Sequence, residues 1–389
     1  MELLKKNLEK HLHELTLFPS RHVGSPGVKA AAEYVEKTFR NYGYEQSAIE
    51  HFPLTGWRFG SMVFADMDNG CCEVPGALPC FFSQSVNVSG VPVWLDSTNL
   101  GNLKKEDVEN KICIVDFFSD AADIRGRNGI AEDLDMLGAA GAVFISDPAY
   151  HTTSAASTKI QRSANLKQLG AAVVAQEGAF YLAQNRNHRY KLFIDAETFP
   201  ALGSNVCATR PGTGGKRAIF GAHIDAAPLT QGAGDNASGT ACLLEAARLL
   251  KETMPEWTLD FAAFDAEEYC ISQLPVGSEA YTKAHADRKW SFFMNFDSLG
   301  RSWEERVLHL GHKELLPEIS TGFRFAPFKN GGDDRSFDAL GIPTLWFNGS
   351  TPFKVFHTPL DTVATLDLQK LAECVLDAVN VAGQLLEKM

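Results

Sequence analysis

The chain has 389 residues, 45% of them hydrophobic and 22% charged, with a formal net charge of −12 at pH 7. That length exceeds one ordinary core and implies two domains, one of them open to insertion into the other. The acidic balance argues against nucleic acid as the main partner, and no apolar run approaches the roughly 20 residues that cross a bilayer.

The first segment, MELLKKNLEKHLHELTLF, alternates charges with leucines at helical spacing. It lacks the apolar stretch and small-residue cleavage site of a signal peptide, so it reads as a surface helix. With residue 1 as the natural start the expected location is the cytoplasm; a chain trimmed of a leader would read the same and be secreted. RHVGSPG at 21–27 forms a turn, with Arg21 and His22 as its structural support, and VKAAAEYVEKTFRNYGY continues as an amphipathic helix ending near Gly43. Between about 61 and 200 the texture changes to short β-rich runs (VPVWL, KICIVDFF, AVFISD, AAVVAQ) separated by polar loops, including a Ser/Thr-rich stretch at 151–158. The helix-like IAEDLDMLGAAG leads straight into AVFISD. Of the eight cysteines only Cys71, Cys72 and Cys80 cluster, without a CxxC pair or a nearby histidine, so buried reduced thiols are expected.

After the GTGG turn at 212–215 the pattern becomes strand, helix, strand. AIFGAH, LDFAAFDAEE, WSFFMNFDSLG and IPTLWFNG read as buried strands, SGTACLLEAARLLKE as a helix, and DLQKLAECVLDAVNVAGQLLEKM as a long closing helix. Such alternation predicts an α/β sandwich around a mostly parallel sheet.

The polar residues with chemistry fall where those strands end. His223 closes AIFGAH, Glu267 and Glu268 close LDFAAFDAEE, Asp297 closes FFMNFD, and His357 follows the last strand in KVFHTPLDT. Asp235 sits in the glycine-rich turn GAGDNASG that opens a helix. Loops at the carboxyl ends of parallel strands converge on one crevice, so these residues can meet. Two histidines and three carboxylates suit two divalent cations about 3.5–4 Å apart, with one carboxylate bridging. Asp235 is the best placed to bridge. Zinc is favoured by the imidazoles, with cobalt or manganese as substitutes. A metal-activated water also needs a base, and of the adjacent Glu267 and Glu268 one can reach a metal while the other faces the water.

These residues carry a resemblance. GAHIDAAP, GAGDNASGTACLLEAARLL, DFAAFDAEE, VGSEAY, FFMNFDSLG, GIPTLWF and FHTPLDT occur in the order found in the co-catalytic double-zinc aminopeptidase family that includes aminopeptidase Y and the glutamate carboxypeptidase II proteins. RHVGSPGVKAAAEYV resembles the N-terminal helix region of the same family. The resemblance implies a three-layer α/β/α zinc-peptidase fold over 1–60 and 201–389. It implies two zinc ions per chain: His223 and Asp297 on one, Glu268 and His357 on the other, Asp235 bridging, Glu267 as general base. Asp225 would accept the outer N–H of His223 and fix its tautomer, and a cis peptide is expected at Asp235–Asn236. ENKICIVDFF and LGAAGAVFISD make 61–200 resemble a protease-associated domain inserted before the first zinc ligand.

The implied function is hydrolysis of peptides or small aminoacyl substrates, most of all release of an N-terminal residue. Three alternatives stay open. A carboxypeptidase or dipeptidase on this scaffold would need Arg335 or Arg301 as a clamp for the substrate carboxylate. A glutaminyl-cyclase-like acyl transferase uses a related one-zinc site, although DNASG favours the hydrolases. An inactive receptor-like homologue would have lost ligands, whereas all five positions and Glu267 are present. Three departures bear on specificity: Phe356 stands where several aminopeptidases have a tyrosine that steadies the oxyanion, ISQLPV lengthens the link between Glu268 and Gly277, and Asp334 in GGDDRSF replaces a common histidine. There Asp333 could support a ligand, and Arg335 or Ser336 touch substrate. His309 and His312 of HLGHK have metal-like spacing but sit in a polar strand and turn, and Glu245 reads as a solvated or helix-packing charge.

Overall fold

A computed structural model describes the chain except for residues 19, 97–99, 117–123, 146–165, 270–273, 330 and 351–354. The Ser/Thr-rich stretch 151–158 and the first three residues of ISQLPV lie outside the described residues. Two compact units are present, Met1–Leu54 with Leu202–Met389, and Thr55–Ala201.

The larger unit is built on a mixed sheet. Four parallel strands form its centre in the order Thr258–Phe264, Arg217–His223, Phe293–Asp297 and Thr344–Ser350. Glu305–Gly311 joins antiparallel beyond Thr344–Ser350 and carries Arg324–Ala326 parallel on its outer side. On the other flank Thr258–Phe264 pairs antiparallel with the end of Tyr190–Arg210.

Side-chain alternation sends the strands' two rows into two cores. Ala218, Phe220 and Ala222 pack with the helices Glu2–Leu15, Pro26–Asn41, Gly239–Leu250 and Leu368–Lys388. Ile219, Phe264 and Phe293 pack on the opposite face with Tyr281 and Phe337, from the helices Val276–Ala284 and Asp334–Asp338. This is the expected arrangement of helices on both faces of a mixed sheet.

The helices follow local rules. Ser25 caps Pro26–Asn41 by accepting the Val28 N–H at 3.2 Å, and proline occupies the first turn, where no N–H is needed. Asp367 accepts the N–H groups of Gln369 and Lys370 at the start of Leu368–Lys388. Along that helix Leu371, Val375, Ala378, Ala382 and Leu385 form one buried stripe. Among the described residues no helix is long and apolar enough to cross a membrane.

The unit Thr55–Ala201 has a five-stranded sheet in the order Ala77–Pro79, Gly170–Val174, Gly141–Ile145, Ile112–Val115 and Val93–Leu95, the last four parallel. Its core gathers Val108, Cys113, Val115, Leu134, Phe144 and Val173. Cys71 and Cys72 depart from the expectation of buried thiols: both are exposed, on a turn where Cys71 has φ 58°. Cys80, Cys113, Cys207, Cys242 and Cys374 are buried.

Candidate metal centre

The strands of the larger unit deliver the polar residues by their ends. His223 and Asp297 are the last residues of neighbouring parallel strands, Arg217–His223 and Phe293–Asp297. LDFAAFDAEE was expected to run as a strand to Glu268, but the strand stops at Phe264, so Glu267 and Glu268 lie beyond it. Ala266 then takes a left-handed turn, φ 62°, which re-aims the two glutamates. His357 follows the strand Thr344–Ser350 and is also left-handed, φ 59°.

Asp235 lies in the tight Ala233–Ser238 turn before the helix Gly239–Leu250, and its peptide bond to Asn236 is cis, as expected. The Asn236 side chain holds this turn to the neighbouring strand. Its amide donates to Phe296 O at 2.9 Å, and its oxygen accepts the N–H groups of Gly239 at 2.8 Å and Ser298 at 3.2 Å.

The turn brings the two oxygens of one carboxylate to two different partners. His223 Nε2 is 3.1 Å from Asp235 Oδ1 and 3.6 Å from Asp297 Oδ1. His357 Nε2 is 3.1 Å from Asp235 Oδ2 and 2.7 Å from Glu268 Oε1. Two three-residue donor groups thus share Asp235, with every donor atom of a group within 4.8 Å of the others. Tetrahedral zinc with bonds of about 2.0–2.2 Å holds its ligands roughly 3.3 Å apart. The observed separations bracket that value, so the donor set fits two such cations.

Electrostatics point the same way. Burial opposes the charge on His223, but Asp225, Asp235 and Asp297 outweigh it and hold the imidazole well above its ordinary pKa. Burial pushes Asp235 up, and His223 and His357 overcome this, leaving it well below the usual carboxylate range. Burial raises Asp333 and Asp334 to about 7 and Asp265 to about 8, with the neighbouring carboxylates adding to the rise. The centre holds more acid than its two histidines can neutralise, an environment that favours cations.

Supporting residues fix the donors. Asp225, fully buried, meets His223 Nδ1 with its backbone oxygen at 3.2 Å and with Oδ1 at 3.3 Å, and its two carboxylate oxygens accept the N–H groups of Glu267 at 3.2 Å and Glu268 at 2.9 Å. It therefore sets both the histidine tautomer and the path of the glutamate turn. Trp346 Nε1 donates to Asp297 Oδ2 at 3.2 Å, and the His309 ring stacks on Trp346 with centroids 4.9 Å apart. His309 is thereby a packing partner, not a ligand. His312 also stands outside both donor groups, its Nε2 3.1 Å from Asp338 O.

Asp361, which sequence reasoning left without a role although it lies in FHTPLDT, accepts from Gly234 N at 2.8 Å, Asp235 N at 3.0 Å and Arg301 at 2.9 Å. Arg301 is buried between Asp361 and Glu304, which removes it as a clamp for a substrate carboxylate. Arg21 is buried as well. It donates to the carbonyls of Ile224, Leu15, Gln231 and Gly232, so it supports the metal turn as well as its own. Glu245 is not solvated: it is fully buried and accepts from Tyr42, Asn7 and Arg248. Ser336 meets Ser278 at 2.9 Å, and Arg335 Nε donates to Gly332 O at 3.4 Å.

Residues 205–382, which hold His223, Asp235, Glu268, Asp297 and His357, match the pattern of peptidase family M28. Aminopeptidase YwaD of Bacillus subtilis (strain 168) is 30% identical over 175 residues, covering 39% of this chain and 37% of that protein. An aminopeptidase of Pseudomonas aeruginosa (strain UCBPP-PA14) is 27% identical over 340 residues, 77% of this chain and 58% of the relative. The chain thus spans 37–58% of the length of these curated relatives. Among solved structures, a peptidase M28 precursor from Shewanella amazonensis SB2B superposes with a TM-score of 0.76 at 19% identity, over 99% of this chain and 96% of its own. BSAP, a zinc aminopeptidase from Bacillus subtilis, gives 0.76 at 17% identity, over 98% and 95%. At those identities the likeness carries the fold. Through residues 205–382, the chain is similar to peptidase family M28.

Proposed function

We propose that the chain is a dinuclear zinc aminopeptidase. The observation that carries this reading is the Asp235 carboxylate, whose two oxygens each face a separate histidine–carboxylate pair. His223 and Asp297 would hold one zinc, Glu268 and His357 the other, with Asp235 shared. Zinc bound there would polarise the scissile carbonyl and lower the pKa of water towards neutrality. Glu267, fixed through its N–H to Asp225, acts as the general base: it takes the proton of the attacking water and returns it to the departing amine.

Phe356 stands edge-on to His357, centroids 5.0 Å apart, and its ring offers no hydrogen-bond donor to an oxyanion. The burial of Arg301 favours action at a free amine over capture of a substrate carboxylate, leaving Arg335 as the one arginine of the two for the carboxypeptidase reading. Residues 61–200 fit a protease-associated-type insert on the motifs ENKICIVDFF and LGAAGAVFISD.

The test is purified protein with its metal content measured, assayed on free and N-acetylated aminoacyl amides and on dipeptides. Two zinc ions per chain with cleavage confined to free amines is the expected outcome. Equal cleavage of blocked and free substrates would sink the aminopeptidase reading, and full activity with less than one tightly bound metal per chain would remove the dinuclear site.

A further inference from the structure

A second group of metal-type donors lies outside the Asp235 centre and shares no residue with it. Cys207, Glu50 and His285 each place one donor atom within 4.8 Å of the other two. They come from three separate elements of the larger unit. Cys207 is on the Tyr190–Arg210 strand, Glu50 on Gln46–Asp66, and His285 caps the carboxyl end of the helix Val276–Ala284.

His285 Nε2 stands 3.0 Å from both Glu50 oxygens, and the ring is kept in place by Tyr281, centroids 4.5 Å apart. Cys207 is buried while Glu50 and His285 are half-buried, so a small ion has a way in. The carbonyl end of a helix favours positive charge.

We propose that Cys207, His285 and Glu50 form an additional binding site for a single divalent cation of the zinc class. Thiolate, imidazole and carboxylate are together the ligand set of zinc, cobalt(II) and cadmium, and poorly suited to magnesium or calcium. Three protein ligands leave a fourth position to water.

Without an ion, burial and the facing Glu50 carboxylate keep the Cys207 thiol well above its ordinary pKa, against the nearby charge of Arg288. Asp260 adds to the negative field at the thiol. Binding therefore exchanges one proton for one cation: the Cys207 S–H bond breaks, a sulfur–metal bond forms, and the proton leaves to solvent.

Cobalt(II) provides a probe that separates the two sites, because among the described residues the Asp235 centre offers only nitrogen and oxygen donors. The intact protein, with the exposed Cys71 and Cys72 replaced by serine, is titrated with Co²⁺ beyond two equivalents per chain. A thiolate-to-cobalt charge-transfer band in the near ultraviolet is expected with one further equivalent. It should vanish in Cys207→Ser, while His285→Gln and Glu50→Gln weaken that binding by about tenfold or more.

The bands of the Asp235 centre, unchanged in these variants, show that they have folded. In the same background with Cys207 retained, Cd²⁺ should slow alkylation of Cys207, read by mass spectrometry, which covers the case of a variant that fails to fold. Absence of the band, its survival in Cys207→Ser, or unprotected alkylation of Cys207 each overturns the site.

Discussion

Asp225 reaches three partners with one carboxylate, facing the His223 ring and accepting two successive N–H groups, those of Glu267 and Glu268. Asp225→Asn keeps the size but removes the charge and one acceptor, so zinc affinity should fall about 10–100-fold, read by competition with a chromophoric chelator. Glu267→Gln tests a different property. It should leave metal content intact and lower kcat by about 10²–10⁴-fold, because the amide cannot take a proton.

Most of the candidate donors were legible in the sequence because each is a polar group at or just past the end of an apolar run, while Asp235 stood out by its glycine-rich turn. The residues that hold them were less so. Asp361 and Trp346 act on ligands far from them in sequence, and Arg21 works through carbonyls, which any residue supplies. No spacing rule announces such contacts. Arg301 shows a related limit: an arginine looks the same in sequence whether it meets substrate or two buried acids.

At the scale of elements, the helix Gly239–Leu250 is pinned at its first residue. A Cβ on Gly239 would stand 2.3 Å from Phe296 O and 2.2 Å from Asn236 Oδ1, closer than atoms can approach. Gly239→Ala should therefore cost about 1–3 kcal/mol in urea denaturation and loosen metal binding, since Asn236 must move.

Further along the same helix, Glu245 fastens the N-terminal helix. Burial opposes its charge, yet His11, Arg248 and Tyr42 bring its pKa down to about 2. A pKa lowered in the folded state stabilises above the unfolded value, near 4.3, and that contribution drains away as pH falls towards 2. Glu245→Gln should thus cost roughly 3 kcal/mol at neutral pH, and the gap to the parent should close between pH 4 and 2. A constant gap across that range would contradict this account.

The strand after Thr258 shows where element boundaries escape sequence reading. LDFAAFDAEE is apolar to Phe264 and could run on, but a left-handed Ala266 ends it, and alanine gives no warning of that backbone.

For the molecule as a whole, alternating apolar runs specified strands and helices well, because a parallel sheet buried on both faces demands uninterrupted apolar segments. The helix starts were less exact: the turn read through Gly27 gives way to a helix already at Pro26, capped by Ser25. With a net charge of −12 and a centre rich in buried acids, the folded state should depend on its cations. Chelation should lower the thermal midpoint and added zinc restore it, with a stabilisation of about 2.7 kcal/mol at a free metal concentration of 100 times Kd.

The divided Asp235 carboxylate has a consequence for how the centre fills. With two ions bound, as proposed, they would not be independent guests. Whichever enters first neutralises acid that its successor would have used, and leaves a doubly charged neighbour a few ångströms off. Occupancy should therefore rise in two separated steps of unequal affinity. Over a range of zinc concentrations most molecules would hold a single ion, so the dose–activity curve would show a lag, not a simple saturation.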